Sequence, residues 1–138
     1  MFNTHVEVIG DIAVVQCEGR IVHSEAAYRL RDVILSQRDA RVVVVELSEV
    51  DAIEGGGLGM LAFLQRWAYD HNIKLKLFNP SSSVQDRLDH TWMPSLEVAS
   101  TDEVIALLDG ADHASAGANA SWLRETEYRG DRYQGWQR

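Results

Sequence analysis

Apolar and polar positions alternate from Thr4 to Ile9, with Val6 and Val8 set against Glu7, which predicts a half-buried strand. Gly10-Asp11 is a turn signal, and Ile12 to Cys17 is a second apolar run, so the two predict a hairpin closed off at Gly19. Ser24 reads as an N-cap with Glu25 in the first turn, and Tyr28, Leu30, Val33, Ile34 and Leu35 predict a helix to about Gln37. Val42 to Leu47 opens on four consecutive valines. That lack of polar relief predicts a central strand covered on both faces.

Ser48 to Gly57 reads as a loop, and Leu58 opens a helix to about His71. Leu58, Leu61, Leu64, Gln65 and Ala68 form one stripe, and Met60, Phe63 and Trp67 form a second beside it. Together they exceed a single apolar arc. Packing on two sides within the domain and exposure of the second stripe to a partner both satisfy this pattern. Ile73 to Phe78 alternates, with Lys74 and Lys76 on a wetter face, and Asn79-Pro80 breaks the strand. Ser82 with Gln85 predicts a capping box for a short helix to about His90. Leu96 to Val98 is a short strand. Ser100 with Glu103 caps a helix through Val104, Ile105, Leu107 and Leu108.

From Gly110 to Ser121 the chain is rich in Ala, Gly and Ser, and reads as a linker or weak helix. Trp122 to Arg138 mixes Trp122, Tyr128, Tyr133 and Trp136 with charges. It has no apolar core of its own and is expected to form a helix from about Ala120 to Arg129 on the domain or on a second copy. The division is therefore a domain over 1–109 and an extension over 110–138, with a homodimer through the extension as one expectation. Strand–helix alternation after a hairpin predicts an α/β fold: a mixed sheet of about five strands with about four helices and a C-terminal helical extension.

A length of 138 residues suits one domain, and 46% hydrophobic with 25% charged residues suits a packed core. With 13 basic and 21 acidic side chains, the formal net charge is -8. That charge repels phosphate backbones, so nucleic acid is excluded as an expected partner. Cys17 is the single cysteine, in an alternating apolar pattern, and reads as a buried structural thiol suited to a reducing cytoplasm. The opening MFNTHVEVIG lacks the basic and apolar regions of a signal peptide. No apolar run approaches the roughly 20 residues that span a bilayer, so a soluble, cytoplasmic protein without membrane insertion is expected.

The glycines of Glu54-Gly55-Gly56-Gly57-Leu58-Gly59 admit two readings. They can form a tight strand–helix turn that needs positive φ or close backbone approach. They can also cradle a nucleotide or anion on free backbone N–H groups. The run lacks the Gly-Lys-Ser/Thr ending of a P-loop and the third glycine of a dinucleotide fingerprint, and Glu54 would repel an anion. Glu46, Glu49, Asp51 and Glu54 make a local acidic cluster without EF-hand spacing, which reads as solvated loop carboxylates. The histidines have no metal-ligand spacing, and no serine–histidine–acid arrangement or nucleophile elbow is present. No catalytic residue, metal or cofactor is expected. Ser81-Ser82-Ser83 is explained by helix capping.

The run VVVVELSEVDAIEGGGLGMLAFL resembles the signature of the STAS domain, shared by anti-sigma factor antagonists and the cytoplasmic ends of sulfate transporters. The family pattern is an apolar strand, a leucine, an acidic turn and Asp-Ser-Ser/Thr-Gly-Leu/Ile-Gly before a helix. Leu47, Val50, Ile53, Gly57, Leu58 and Gly59 match it, and the order of elements agrees from Thr4 to Leu108. Glu54 stands at the family's aspartate, Gly55 at its first hydroxyl and Gly56 at its phosphoacceptor. The resemblance implies a non-catalytic interaction domain whose partner is an anti-sigma factor or related kinase-fold protein. The binding residues it implies are Glu54, Gly55, Gly56, Gly57, Leu58, Gly59, Met60, Phe63 and Trp67. Gly56 has no hydroxyl, so the usual phosphorylation, which adds about -1.5 to -2 charge, is absent there. The alternatives are the nucleotide- or anion-binding module and a STAS-like subunit of a transporter or lipid-trafficking complex.

Overall fold

The computed structural model describes residues 1–91, 96 and 98–114. In chain order the elements are β1 (Phe2–Ile9), β2 (Ile12–Ile21), α1 (Ser24–Leu35), β3 (Val42–Ile53), α2 (Gly55–Asp70), β4 (Lys74–Phe78), α3 (Ser82–Asp89), β5 (Val98–Ala99) and α4 (Thr101–Ala114). The strands form one five-stranded sheet in the order β1-β2-β3-β4-β5. β1 and β2 are antiparallel, and the pairs from β2 to β5 are parallel. This is the expected mixed α/β sheet.

Gly10 makes the hairpin turn with φ +61°, a left-handed value that glycine adopts without a Cβ penalty. Val42 to Val45 lie between β2 and β4 and are at most 1% exposed, which matches the central strand read from the valine run. Their alternation feeds two cores. Val43 and Val45 join Leu30, Ile34, Leu61, Leu64 and Val84 on the side of α1, α2 and α3. Val42 and Val44 join Ile12, Phe78, Val104 and Leu108 on the side of α4. A buried side chain of this size contributes about 1.5–3 kcal/mol, so these two layers hold the sheet between its helices.

Several boundaries differ from expectation. β2 continues past Cys17 to Ile21, and β3 continues past Leu47 to Ile53, because the two strands keep pairing through Ile21↔Ile53. Register shifts at Gln16/Glu18 and Gly19/Arg20 absorb the irregularity. The stretch 48–53, expected as loop, is therefore strand. α2 begins at Gly55 instead of Leu58. Ser24 is the first residue of α1 and not its cap: His23 occupies that position without a side-chain bond. Ser81, not Ser82, caps α3, its Oγ accepting from the Val84 N–H at 3.3 Å. Ser100 does cap α4, accepting from the Glu103 N–H at 3.1 Å. β5 covers Val98–Ala99 instead of 96–98. α4 runs to Ala114, so regular structure continues beyond 109. The helix expected from 120 to 129 lies outside the described residues.

Candidate functional site

β3 and α2 meet at Glu54, the N-cap of α2, whose backbone is extended at φ -124° and ψ -177°. Its N–H donates to the Ile21 carbonyl at 3.2 Å, and its carbonyl accepts from the Leu58 N–H at 2.9 Å. The junction is thus fixed by main-chain bonds at the carboxyl ends of β2 and β3. Its side chain makes no capping bond, which leaves the carboxylate to solvent.

The glycines divide by the side of the helix they occupy. A Cβ on Gly57 would stand 2.8 Å from Ile21 Cγ2, 2.8 Å from Ile53 Cγ1 and 2.9 Å from the Ile21 carbonyl oxygen. This close approach of helix to sheet needs glycine. Gly55, Gly56 and Gly59 are exposed, and a Cβ on any of them would meet nothing within 4 Å. None has a positive φ, which among the described glycines occurs at Gly10 and Gly19. The structural explanation foreseen for the whole cluster therefore holds at Gly57, and only through close approach.

The two apolar stripes of α2 also separate. Leu58, Leu61, Leu64 and Ala68 are buried, Leu61 and Leu64 completely. Gln65 is half-buried. Met60 and Trp67 are half-buried and pack against the core, with Trp67 stacked on His71 at 4.7 Å between ring centroids. Phe63 is 51% exposed. Gly55, Gly59 and Phe63 follow at four-residue intervals, so they lie one above the other on the outward side. The outward surface is then a bare first turn followed by an aromatic ring.

Beside this turn lies a cavity of about 500 Å³ lined by Asp51, Glu54, Gly55, Ser83, Asp86 and Arg87. α3 forms its far wall and is tied to β3 by Ser81 Oγ, which donates to the Val50 carbonyl at 2.6 Å. Asp86 and Arg87 were not foreseen here, because neither lies in a motif and the docking of α3 on β3 brings them in. The expected acidic cluster does not form as a unit. Asp51 and Glu54 share the cavity, whereas Glu46 is a strand residue, 4% exposed, accepting from Asn79 Nδ2 at 3.1 Å.

Cys17 is 1% exposed, and burial, with a smaller contribution from the Glu46 charge, pushes its thiol well above the ordinary range. It is held as a neutral core side chain, as the alternating pattern indicated. No group of three or more His, Cys, Asp or Glu side chains able to hold a metal ion occurs among the described residues. No helix among them is long and apolar enough to cross a membrane.

Structural comparison places this arrangement among known folds. The anti-sigma factor antagonist SpoIIAA in its unphosphorylated form is 18% identical, with a TM-score of 0.64, over 78% of this chain and 97% of that one. An anti-sigma factor antagonist from Mycobacterium paratuberculosis is 21% identical, with a TM-score of 0.61, over 77% of this chain and 93% of that one. The overall structure of SLC26A9 aligns with a TM-score of 0.62 at 15% identity, over 79% of this chain and 21% of that one. At these identities the likeness is one of fold. No curated protein sequence gives a significant match. The family model of the STAS domain matches residues 3–103, which takes in the sheet, α1 to α3 and the glycine turn, and the chain belongs to the STAS domain family.

Proposed function

We propose that this protein is a non-catalytic docking domain that binds a protein partner through the Glu54–Gly59 turn and Phe63. The observation that carries this reading is Phe63, an aromatic ring 51% exposed on the outward side of α2, directly below a first turn whose outward positions are glycine. Gly55, Gly56 and Gly59 allow a partner to approach the backbone closely, and the ring supplies an anchor of the kind that dominates interface energies. Glu54 and Asp51 make the rim acidic, which selects a partner with basic side chains there. Met60 and Trp67 are assigned a supporting role, since both already pack against the core.

The partner class favoured is an anti-sigma factor or related kinase-fold protein. The support is family membership together with the fold shared with two anti-sigma factor antagonists. Gly56 stands at the phosphoacceptor position and has no hydroxyl, so in this reading the complex is not released by phosphorylation of that residue. A purified anti-sigma kinase from the same genome, titrated by calorimetry, tests both parts. Binding is expected, with Phe63→Ala weakening it at least tenfold, about 1.4 kcal/mol. ATP is expected to leave the complex intact with the parent chain and to transfer phosphate to Gly56→Ser. Equal affinities for parent and Phe63→Ala would overturn the docking surface.

A further inference from the structure

β1 is the outermost strand of the sheet, and it pairs with β2 in unbroken register from Phe2↔Gly19 to Ile9↔Ile12. The opposite edge, β5, is only Val98–Ala99. One bond fixes which backbone groups of β1 look outward. The Arg20 N–H donates to the Met1 carbonyl at 3.0 Å, which makes Phe2↔Gly19 a pair that exchanges no bonds of its own. By alternation, Asn3, His5, Glu7 and Ile9 bond to β2, and the N–H and C=O groups of Phe2, Thr4, Val6 and Val8 point away from it. The Phe2 carbonyl accordingly accepts from Arg29 Nη1 at 2.9 Å. Among the described residues, no hydrogen bond reaches the outward groups of Thr4, Val6 and Val8. Such an edge is normally blunted by lysine, proline or a bulge. β1 carries none of these: it reads FNTHVEVI, with Val8 64% exposed.

We propose that β1 pairs antiparallel with β1 of a second copy of this chain, about a two-fold axis at Val6, joining two sheets into one. The register follows from the strand itself. With Val6 opposite Val6, Thr4 lies opposite Val8, and each such pair exchanges both backbone bonds, so every unpartnered outward group of Thr4, Val6 and Val8 is used. Moving the axis to His5 would set Phe2 against Val8, and the Phe2 carbonyl is already taken by Arg29. The Val6 register also sets Glu7 opposite His5 of the second copy, once on each side of the axis. These pairs lie on the sheet face of Ile9 and α4, where an imidazole donor meets a carboxylate. On the other face Val8 meets Thr4, both β-branched, and the exposed valine is covered. The contact is self-complementary, as a two-fold interface must be. It shares no residue with the Glu54–Gly59 turn or Phe63, so it stands independently of the docking surface.

The test is sedimentation velocity of the full chain over a concentration series, with amide hydrogen exchange read by NMR at its two ends. A reversible dimer is expected. The Thr4, Val6 and Val8 amides gain protection with concentration, while His5 and Glu7, bonded to β2, are protected throughout. Val8→Pro removes an N–H that the β1–β2 ladder does not use, and is expected to weaken the dimer about tenfold, because the loss is repeated across the axis. Glu7→Lys is expected to weaken it about threefold, and His5→Glu added to it to restore the dimer, since opposite charges return in exchanged places. A chain that stays monomeric to millimolar concentration would overturn the proposal. A dimer in which the Thr4, Val6 and Val8 amides gain no protection would also overturn it, placing the contact elsewhere, residues 115–138 included. Protection of those amides at every concentration would overturn it too, since the chain would then cover its own edge. Undiminished dimerisation of both Val8→Pro and Glu7→Lys would overturn the strand pairing, and failure of His5→Glu to rescue would overturn the Val6 register.

Discussion

The inward and outward sides of one helical turn use the same residue for opposite purposes. On the inward side, Gly57 is a steric requirement: the first turn of α2 presses so closely on Ile21 and Ile53 that no Cβ fits. On the outward side, Gly55, Gly56 and Gly59 have open space and ordinary backbone angles, so nothing in the fold demands glycine there. The same division continues down the helix, from the fully buried Leu61 and Leu64 to the half-exposed Phe63. A residue's abundance in a motif therefore says little about its role until each copy is assigned a side. The outward glycines cost helix stability without a steric return, which supports the docking surface proposed for that side.

Four substitutions test this division by equilibrium denaturation. Leu61→Ala removes a side chain with no exposure from the core between α2 and the sheet, and is expected to cost about 2–5 kcal/mol. Gly57→Ala forces a Cβ against two isoleucines and a carbonyl oxygen, and is expected to cost about 1–3 kcal/mol. A neutral result would show that α2 can lift off the sheet without penalty and would erase the inward side of the comparison. Phe63→Ala is expected to change stability by no more than about 0.5 kcal/mol, as surface changes do, even though it abolishes the proposed anchor. A loss comparable to that of Leu61→Ala would mean that the ring belongs to the core. Gly56→Ser is expected to be the smallest change, neutral or stabilising by a few tenths of a kcal/mol, because serine is the better helix residue and meets nothing within 4 Å.

The fold was legible where residue type and burial agree. The valine run required a strand covered on both faces, and Val42 to Val45 are that strand. The hairpin, the capping role of Ser100 and the order of strands and helices follow from local chemistry in the same way. What could not be read depends on pairing across the sheet. Ser48, Glu49 and Asp51 have loop composition, yet β2 pairs alongside them as far as Ile53. Glu46 looks like a member of an acidic loop, but its place in β3 buries it against Asn79. The low helix propensity of glycine hides the first three residues of α2, a preference that tertiary packing overrides. At the candidate site, the turn is legible in outline, while the exposure of Phe63 is one of two outcomes the second apolar stripe allows. Asp86 and Arg87 were not, because only the seating of α3 on β3 carries them to the cavity wall.

α4 crosses the face of the sheet opposite α1, α2 and α3, and its Ala111 comes up against the hairpin turn, where a Cβ on Gly10 would lie 3.1 Å from the Ala111 carbonyl oxygen. That turn lies at the amino ends of the parallel strands, whereas Glu54 lies at their carboxyl ends. The last described helix therefore finishes at the pole farthest from the glycine turn. A fluorophore or surface tether attached near the end of α4 would hold the domain with its bare turn and aromatic ring facing outward, which makes this helix the natural handle for immobilised binding assays.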